Sequence, residues 1–90
     1  DKLLVAFQSN NPAGLKSFPN PTAGNVTVEL NGEMEAVYLT DFTGKILERL
    51  AVEKPIHQLN LGGYPSGVYF LAYFTKDKKQ GTERVVLQRG

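Results

Sequence analysis

Cysteine and tryptophan are absent from this ninety-residue chain, and histidine and methionine occur once each. Without cysteine there is no disulfide staple, no zinc–thiolate site and no thiol nucleophile. A cysteine-free domain works in the cytosol or outside the cell, so this absence leaves the compartment open. With His57 as the one imidazole, any Ser/His/Asp chemistry would have to be built around it. No apolar run approaches the ~20 residues that a membrane-spanning helix requires. No basic segment leads into an apolar one at the start, so no signal peptide is visible. The chain opens at Asp1, not at Met, and reads as a fragment cut from a longer polypeptide. Net charge is +1 with the two signs interspersed, which gives no electrostatic case for nucleic acid or an anionic membrane.

What is present is a hydrophobic fraction of 41%, enough for a globular fold and against disorder. A chain of this length makes one domain and buries about 60–65% of its unfolded surface, so its core is thin. The most informative stretch is FPNPTAGNVTVEL, residues 18–30. Phe18-Pro19-Asn20-Pro21 is a stiff, extended corner, because each proline fixes its own φ and restricts the residue before it. Thr22-Ala23-Gly24 turns the chain, and residues 25–30 alternate apolar and polar as a half-buried strand does.

Before the corner, Leu3-Leu4-Val5-Ala6-Phe7 is a first strand or the tail of an upstream segment. The loop formers Ser9, Asn10, Asn11, Pro12, Ala13 and Gly14 read as a linker. After the corner strand, Asn31-Gly32 predicts a two-residue hairpin turn into a strand at 35–41. Phe42-Thr43-Gly44 is a second tight connection, with Gly44 suited to positive φ. Residues 45–52 alternate imperfectly, which a bulge or an edge position would explain. His57, Leu59 and Leu61 share one face of the next, edge-like strand, which Pro55 introduces. Pro65 and Gly67 fit positions two and four of a type I turn. Residues 68–74, apolar on both faces, predict the central strand. Residues 76–81 form a polar hairpin tip, and residues 82–89 a last strand with Val85 and Leu87 on one side and Val86 on the other. The sum is an all-β chain of about seven short strands, an antiparallel immunoglobulin-like β-sandwich.

Chemistry is scarce. Ser9, Ser17 and Ser66 lack a nucleophile-elbow context, and His57 reads as a rim residue. Glu33 and Glu35 read as solvated charge, and no Asp-rich loop offers calcium ligands. We therefore expect no catalytic residues, no metal and no cofactor. Asn25-Val26-Thr27 matches a glycosylation sequon, a short pattern frequent by chance. Lys76-Asp77-Lys78-Lys79 reads as a solvated tip. Tyr38, Tyr64, Tyr69 and Tyr73 read as packing residues with wet hydroxyls before they read as a sugar platform.

Several motifs taken together carry a family resemblance. Phe18, Pro19, Asn20, Pro21 and Gly24 lead into Val26-Thr27-Val28; Asp41, Gly44 and Lys45 follow Val37-Tyr38-Leu39-Thr40. Gly67, Val68, Tyr69 and Phe70 follow Tyr64-Pro65-Ser66, and Arg84-Val85-Val86-Leu87-Gln88-Arg89 closes the order. From about residue 15 to the end, this resembles the type A C-terminal sorting domain of the type IX (Por) secretion system, with Phe18 where the family often has Tyr. The resemblance implies a non-enzymatic domain at the C-terminus of secreted enzymes and adhesins of Gram-negative bacteria. It implies export to the periplasm behind a Sec signal, then recognition by an outer-membrane translocon and its shuttle. It also implies removal by a sortase-like cysteine protease, the cargo being released at the surface or joined to lipopolysaccharide. On that reading residues 1–14 are linker or cargo tail and residues 15–90 the sorting domain. Cleavage falls among Ser9, Asn10, Asn11 and Gly14, and Val85, Val86, Leu87, Gln88 and Arg89 face the translocon. Two rivals stand beside it: a carbohydrate-binding or adhesive module of a secreted enzyme, and a structural spacer.

Overall fold

The structure, a computed structural model, describes residues 11–31 and 33–89. Among these residues there are seven strands and no helix: β1 Lys16–Phe18, β2 Asn25–Glu29, β3 Met34–Asp41, β4 Ile46–Leu50, β5 Ile56–Asn60, β6 Gly67–Thr75 and β7 Gln80–Leu87. They form two antiparallel sheets in the orders β1-β2-β5 and β4-β3-β6-β7. The expected all-β, seven-stranded antiparallel sandwich is what the chain adopts. The apolar run 3–7 and the linker residues Ser9 and Asn10 lie outside the described residues.

Alternation decides which residues enter the core. In β2, Val26 and Val28 point inward and are fully buried, and Leu59 and Leu61 join them from β5 and the turn after it. The larger sheet answers with Val37, Leu39, Leu50, Leu71, Val85 and Leu87. Its inner strand β6 is buried from Tyr69 to Tyr73 on both faces, because β3 and β7 flank it in the sheet. Tyr69 donates its hydroxyl to Pro65 O, four residues back (2.5 Å), a tyrosine corner of the kind that immunoglobulin-like sandwiches use to fix the start of this strand.

Two expected turns are corrected. Asn31-Gly32 is not a hairpin, since β2 and β3 lie in different sheets. β2 takes β1 and β5 as its neighbours, with Leu30 N still donating to Pro55 O, while Asn31 turns its side-chain amide onto Gly14 O (2.7 Å). The connection is a crossover between layers, which turn chemistry alone does not distinguish from a hairpin. The turn before β6 also closes earlier than expected. Tyr64 N donates to Leu61 O, which puts Gly62 and Gly63 at its centre and leaves Pro65 beyond it.

The β3–β4 connection forms as predicted. The Asp41 carboxylate accepts from Thr43 N, Thr43 Oγ1 and Lys45 N, and Gly44 takes φ +90°. The hydroxyl of Thr43 foremost, with the two amides, holds the Asp41 pKa below the ordinary carboxylate value. β4 is an edge strand, and its register against β3 shifts between Leu39 and Thr40. Both explanations offered for its imperfect alternation therefore hold. The polar tip runs only as far as Lys79; Gln80 and Gly81 already belong to β7.

Candidate functional site

The segments that carry the sequence motifs lie up to about seventy residues apart along the chain, and the fold brings them to one end of the larger sheet. That end is where β3 finishes, β4 and β6 begin and β7 finishes. Asp41 pairs with Tyr69, and Gly67, Val68, Tyr69 and Phe70 pair with Leu87, Val86, Val85 and Arg84. Lys45 O accepts from Asp41 N beside them.

The proline corner joins this end from the other sheet, and its contacts are made by Asn20 and Thr22. Both X–Pro bonds, Phe18-Pro19 and Asn20-Pro21, are cis. The Asn20 side-chain amide lies along the outer edge of β7: Nδ2 donates to Arg84 O (2.6 Å) and Oδ1 accepts from Val86 N (3.0 Å). Thr22 continues the row with its main chain. Thr22 N donates to Val86 O (2.9 Å), and Gln88 N donates to Thr22 O (2.8 Å). The outward main-chain groups of β7 from Arg84 O to Gln88 N are thus occupied by the corner.

Of the last-strand residues singled out in the sequence, Val85 and Leu87 are in the core, Val86 is half-buried, and Gln88 and Arg89 are exposed. Arg89 is nonetheless anchored. Its Nη2 donates to Gly62 O (2.7 Å), to Leu61 O (3.3 Å) and to Tyr64 O. The guanidinium holds the end of the chain against the β5–β6 turn, whose carbonyls have no strand partners of their own.

A small apolar cleft of about 220 Å³ opens at this same end, lined by Phe42, Leu47, Tyr64, Pro65, Val68 and Tyr69 with Asp41 at its rim. Phe42 is 63% exposed, and Ile46, near it in sequence, 50%. Tyr64 donates its hydroxyl to the Glu48 carboxylate (3.1 Å), and burial followed by that carboxylate pushes its pKa up. An exposed apolar rim round a cleft is the ordinary mark of a contact surface.

At the opposite end, residues assigned to the linker are built into the domain. Asn11 Oδ1 accepts from Leu15 N (3.0 Å) and from the Tyr73 hydroxyl; Nδ2 donates to Leu15 O (2.7 Å) and to Glu83 Oε1 (3.3 Å). Ala13 N donates to the same tyrosine oxygen (3.0 Å), and Gly14 turns the chain at φ +71°. No periodicity marks Asn11, so this role leaves no trace in the neighbouring residues. The Tyr73 ring, 1% exposed, lies against Gly81, whose missing Cβ makes room for it.

Tyr73 supplies a pH dependence. Burial, with a contribution from Glu83, raises its pKa above the ordinary value although the Ala13 amide works the other way. A raised folded pKa means stability fully present below about pH 10 and lost as pH rises through the folded value. The Tyr73→Phe variant is expected to lose stability less steeply than wild type above pH 10 in denaturant titrations. Equal slopes would remove Tyr73 from the account.

The candidate chemical groups are not brought together. His57 Nε2 donates to Ala51 O (2.8 Å), while Ser17 donates to Glu83 (3.2 Å). Among the described residues no group of three His, Asp or Glu side chains could hold a metal ion. Tyr69 and Tyr73 lie in the core, and Tyr38 sits beneath Arg49 with 5.8 Å between guanidinium carbon and ring centre, so the tyrosines form no open strip for a sugar.

The sequence model of one protein family, described as "Secretion system C-terminal sorting domain", matches residues 16–88. No curated protein matches the chain.

Proposed function

The chain belongs to the secretion system C-terminal sorting domain family, and from that membership we propose that it is read as a folded address by the outer-membrane translocon of the type IX system. A type IX sorting signal is not an enzyme family, and it marks a secreted or cell-surface cargo. The route we propose passes through the periplasm, where the translocon and its shuttle take up the domain. A sortase-like cysteine protease then cuts upstream of it at the cell surface.

The observation that carries this reading is the convergence of the motifs at one end of the larger sheet, beside an apolar cleft lined by exposed Phe42, with exposed Ile46 four residues on in the chain. Residue 11 enters at the other end. Gly67 and Thr75, at the two ends of β6, are eight residues apart, about 26 Å at strand rise. A partner docked at the motif end therefore stays clear of the end at which residue 11 enters. A signal shared by unrelated cargoes needs this separation.

The test is a fluorescent protein fused ahead of this chain, behind a Sec signal, in a host with the type IX system. We expect export of the parent fusion. The Phe42→Ser, Ile46→Ser double variant changes only exposed side chains, so it is expected to fold and to lose roughly tenfold or more of its export, the effect of one lost anchor contact of about 1.4 kcal/mol. A parent fusion retained in the periplasm would overturn the sorting reading. Full export of the double variant would overturn the assignment of the surface.

A further inference from the structure

β7 is an edge strand of the larger sheet, and edge strands invite pairing with other chains. Here the edge is covered by the Asn20 side-chain amide and the main chain of the single residue Thr22, and not by a strand. We propose that the outer edge of β7 is a self-complementary pairing site that the proline corner holds shut, and that its partner when opened is the β7 of a second copy of this chain. The inference is independent of the sorting reading.

The outward main-chain groups of β7 come from alternate residues. Arg84 O, Val86 N, Val86 O and Gln88 N face the corner, while the intervening residues pair inward with β6. This row is symmetric about Val86. A second β7 brought up antiparallel about a two-fold axis at Val86 sets Val86 against Val86 and Arg84 against Gln88, with N–H facing C=O at each position. No like charges are directly opposed, because Arg84 meets an uncharged amide. Val85 and Leu87 keep to the core side in both copies, so the apolar face of the sheet continues across the junction. The corner makes the same bonds that this pairing would make, with the Asn20 amide in the place of a peptide group. It thereby keeps the domain single.

Thr22 is placed by its hydroxyl, which donates to Asn25 O (2.6 Å) and accepts from Gly24 N (3.0 Å). An Asn20→Ala, Thr22→Val variant removes the amide and releases the main-chain half of the cover. Gel filtration with light scattering on the full chain is expected to show a monomer for wild type and a doubled mass for the variant at the same concentration. Adding Val86→Pro deletes the outward N–H and leaves the inward pairing with β6 in place, as proline on an edge strand can. It is expected to return the variant to a monomer. A folded double variant that stays monomeric, or a dimer indifferent to Val86→Pro, overturns the proposal. If the double variant does not fold, Asn20→Ala alone changes an exposed residue and carries the same test. In the Asn20→Ala variant, hydrogen exchange at the Val86 amide is expected to rise about tenfold at dilutions where the variant is monomeric, and to slow again as the concentration and the mass rise. Unchanged exchange together with a monomeric mass overturns the proposal equally.

Discussion

Replacing Gly81 with alanine is expected to destabilise the domain by about 3 kcal/mol, the upper end of ordinary overpacking. A Cβ at this position would lie 2.2 Å from Cζ and 2.3 Å from the hydroxyl oxygen of Tyr73. The ring has nowhere to go. It is fully buried, and its hydroxyl is fixed at the far side by Asn11 and Ala13. Relief has to come from displacing β7 against β6 or from expelling the ring and losing both hydrogen bonds. For a domain of this size the loss corresponds to a fall in Tm on the order of 15 °C, read by circular dichroism. Combining it with Tyr73→Phe tests the mechanism. Phe lacks the anchored hydroxyl, so its ring can tilt away, and the two changes together should cost less than their sum. A melting temperature near that of wild type for Gly81→Ala would mean that the close approach of ring and backbone is not a constraint.

Asn11→Ala is the second large effect, on the order of 2 kcal/mol and a Tm lower by roughly 10 °C. The substitution strips four hydrogen bonds from one side chain and leaves the buried Tyr73 hydroxyl without its acceptor. Asn11→Asp should be worse than Asn11→Ala, even though it keeps an acceptor for Tyr73. It loses both Nδ2 donors and sets a second carboxylate against Glu83, with which Nδ2 is now bonded. Chemical denaturation of the two variants and wild type checks the order. If alanine and aspartate are both neutral, the 11–14 segment is a tether, as its composition suggests, and not part of the domain.

The difference between composition and role at Asn11 shows how far the sequence could be read. The strands followed from periodicity, because a side-chain period of two in Val26-Thr27-Val28 or Val85-Val86-Leu87 has one consistent burial. The Asp41-to-Gly44 turn was legible for a local reason, since all of its bonds join residues within four positions of one another. Asn31-Gly32 misled because a turn's residues report a change of direction and not the sheet that receives the next strand. Asn11, Asn20, Gly81 and Arg89 were opaque for a common reason. Their partners are Tyr73 and Glu83, Arg84 and Val86, Tyr73, and the 61–64 turn, most of them sixty or more residues away or across a strand pair. A polar side chain satisfied by a distant main-chain group leaves no pattern in its own neighbourhood. The candidate site was legible as a set of motifs but not as a place; only the β3–β6 and β6–β7 registers bring the motifs together.

The corner and the last strand close a loop around nearly the whole domain, for Asn20 bonds to residues 64 and 66 positions further on. Such closure is slow to find, because little local structure rewards it on the way. It also makes the fold depend on the last strand being present. A polypeptide that stops short of residue 84 has a corner with nothing to close on, and a β6 with only one neighbour in its sheet. A folded address would then exist only once the last strand has been made, with that check carried by the domain's own hydrogen bonds.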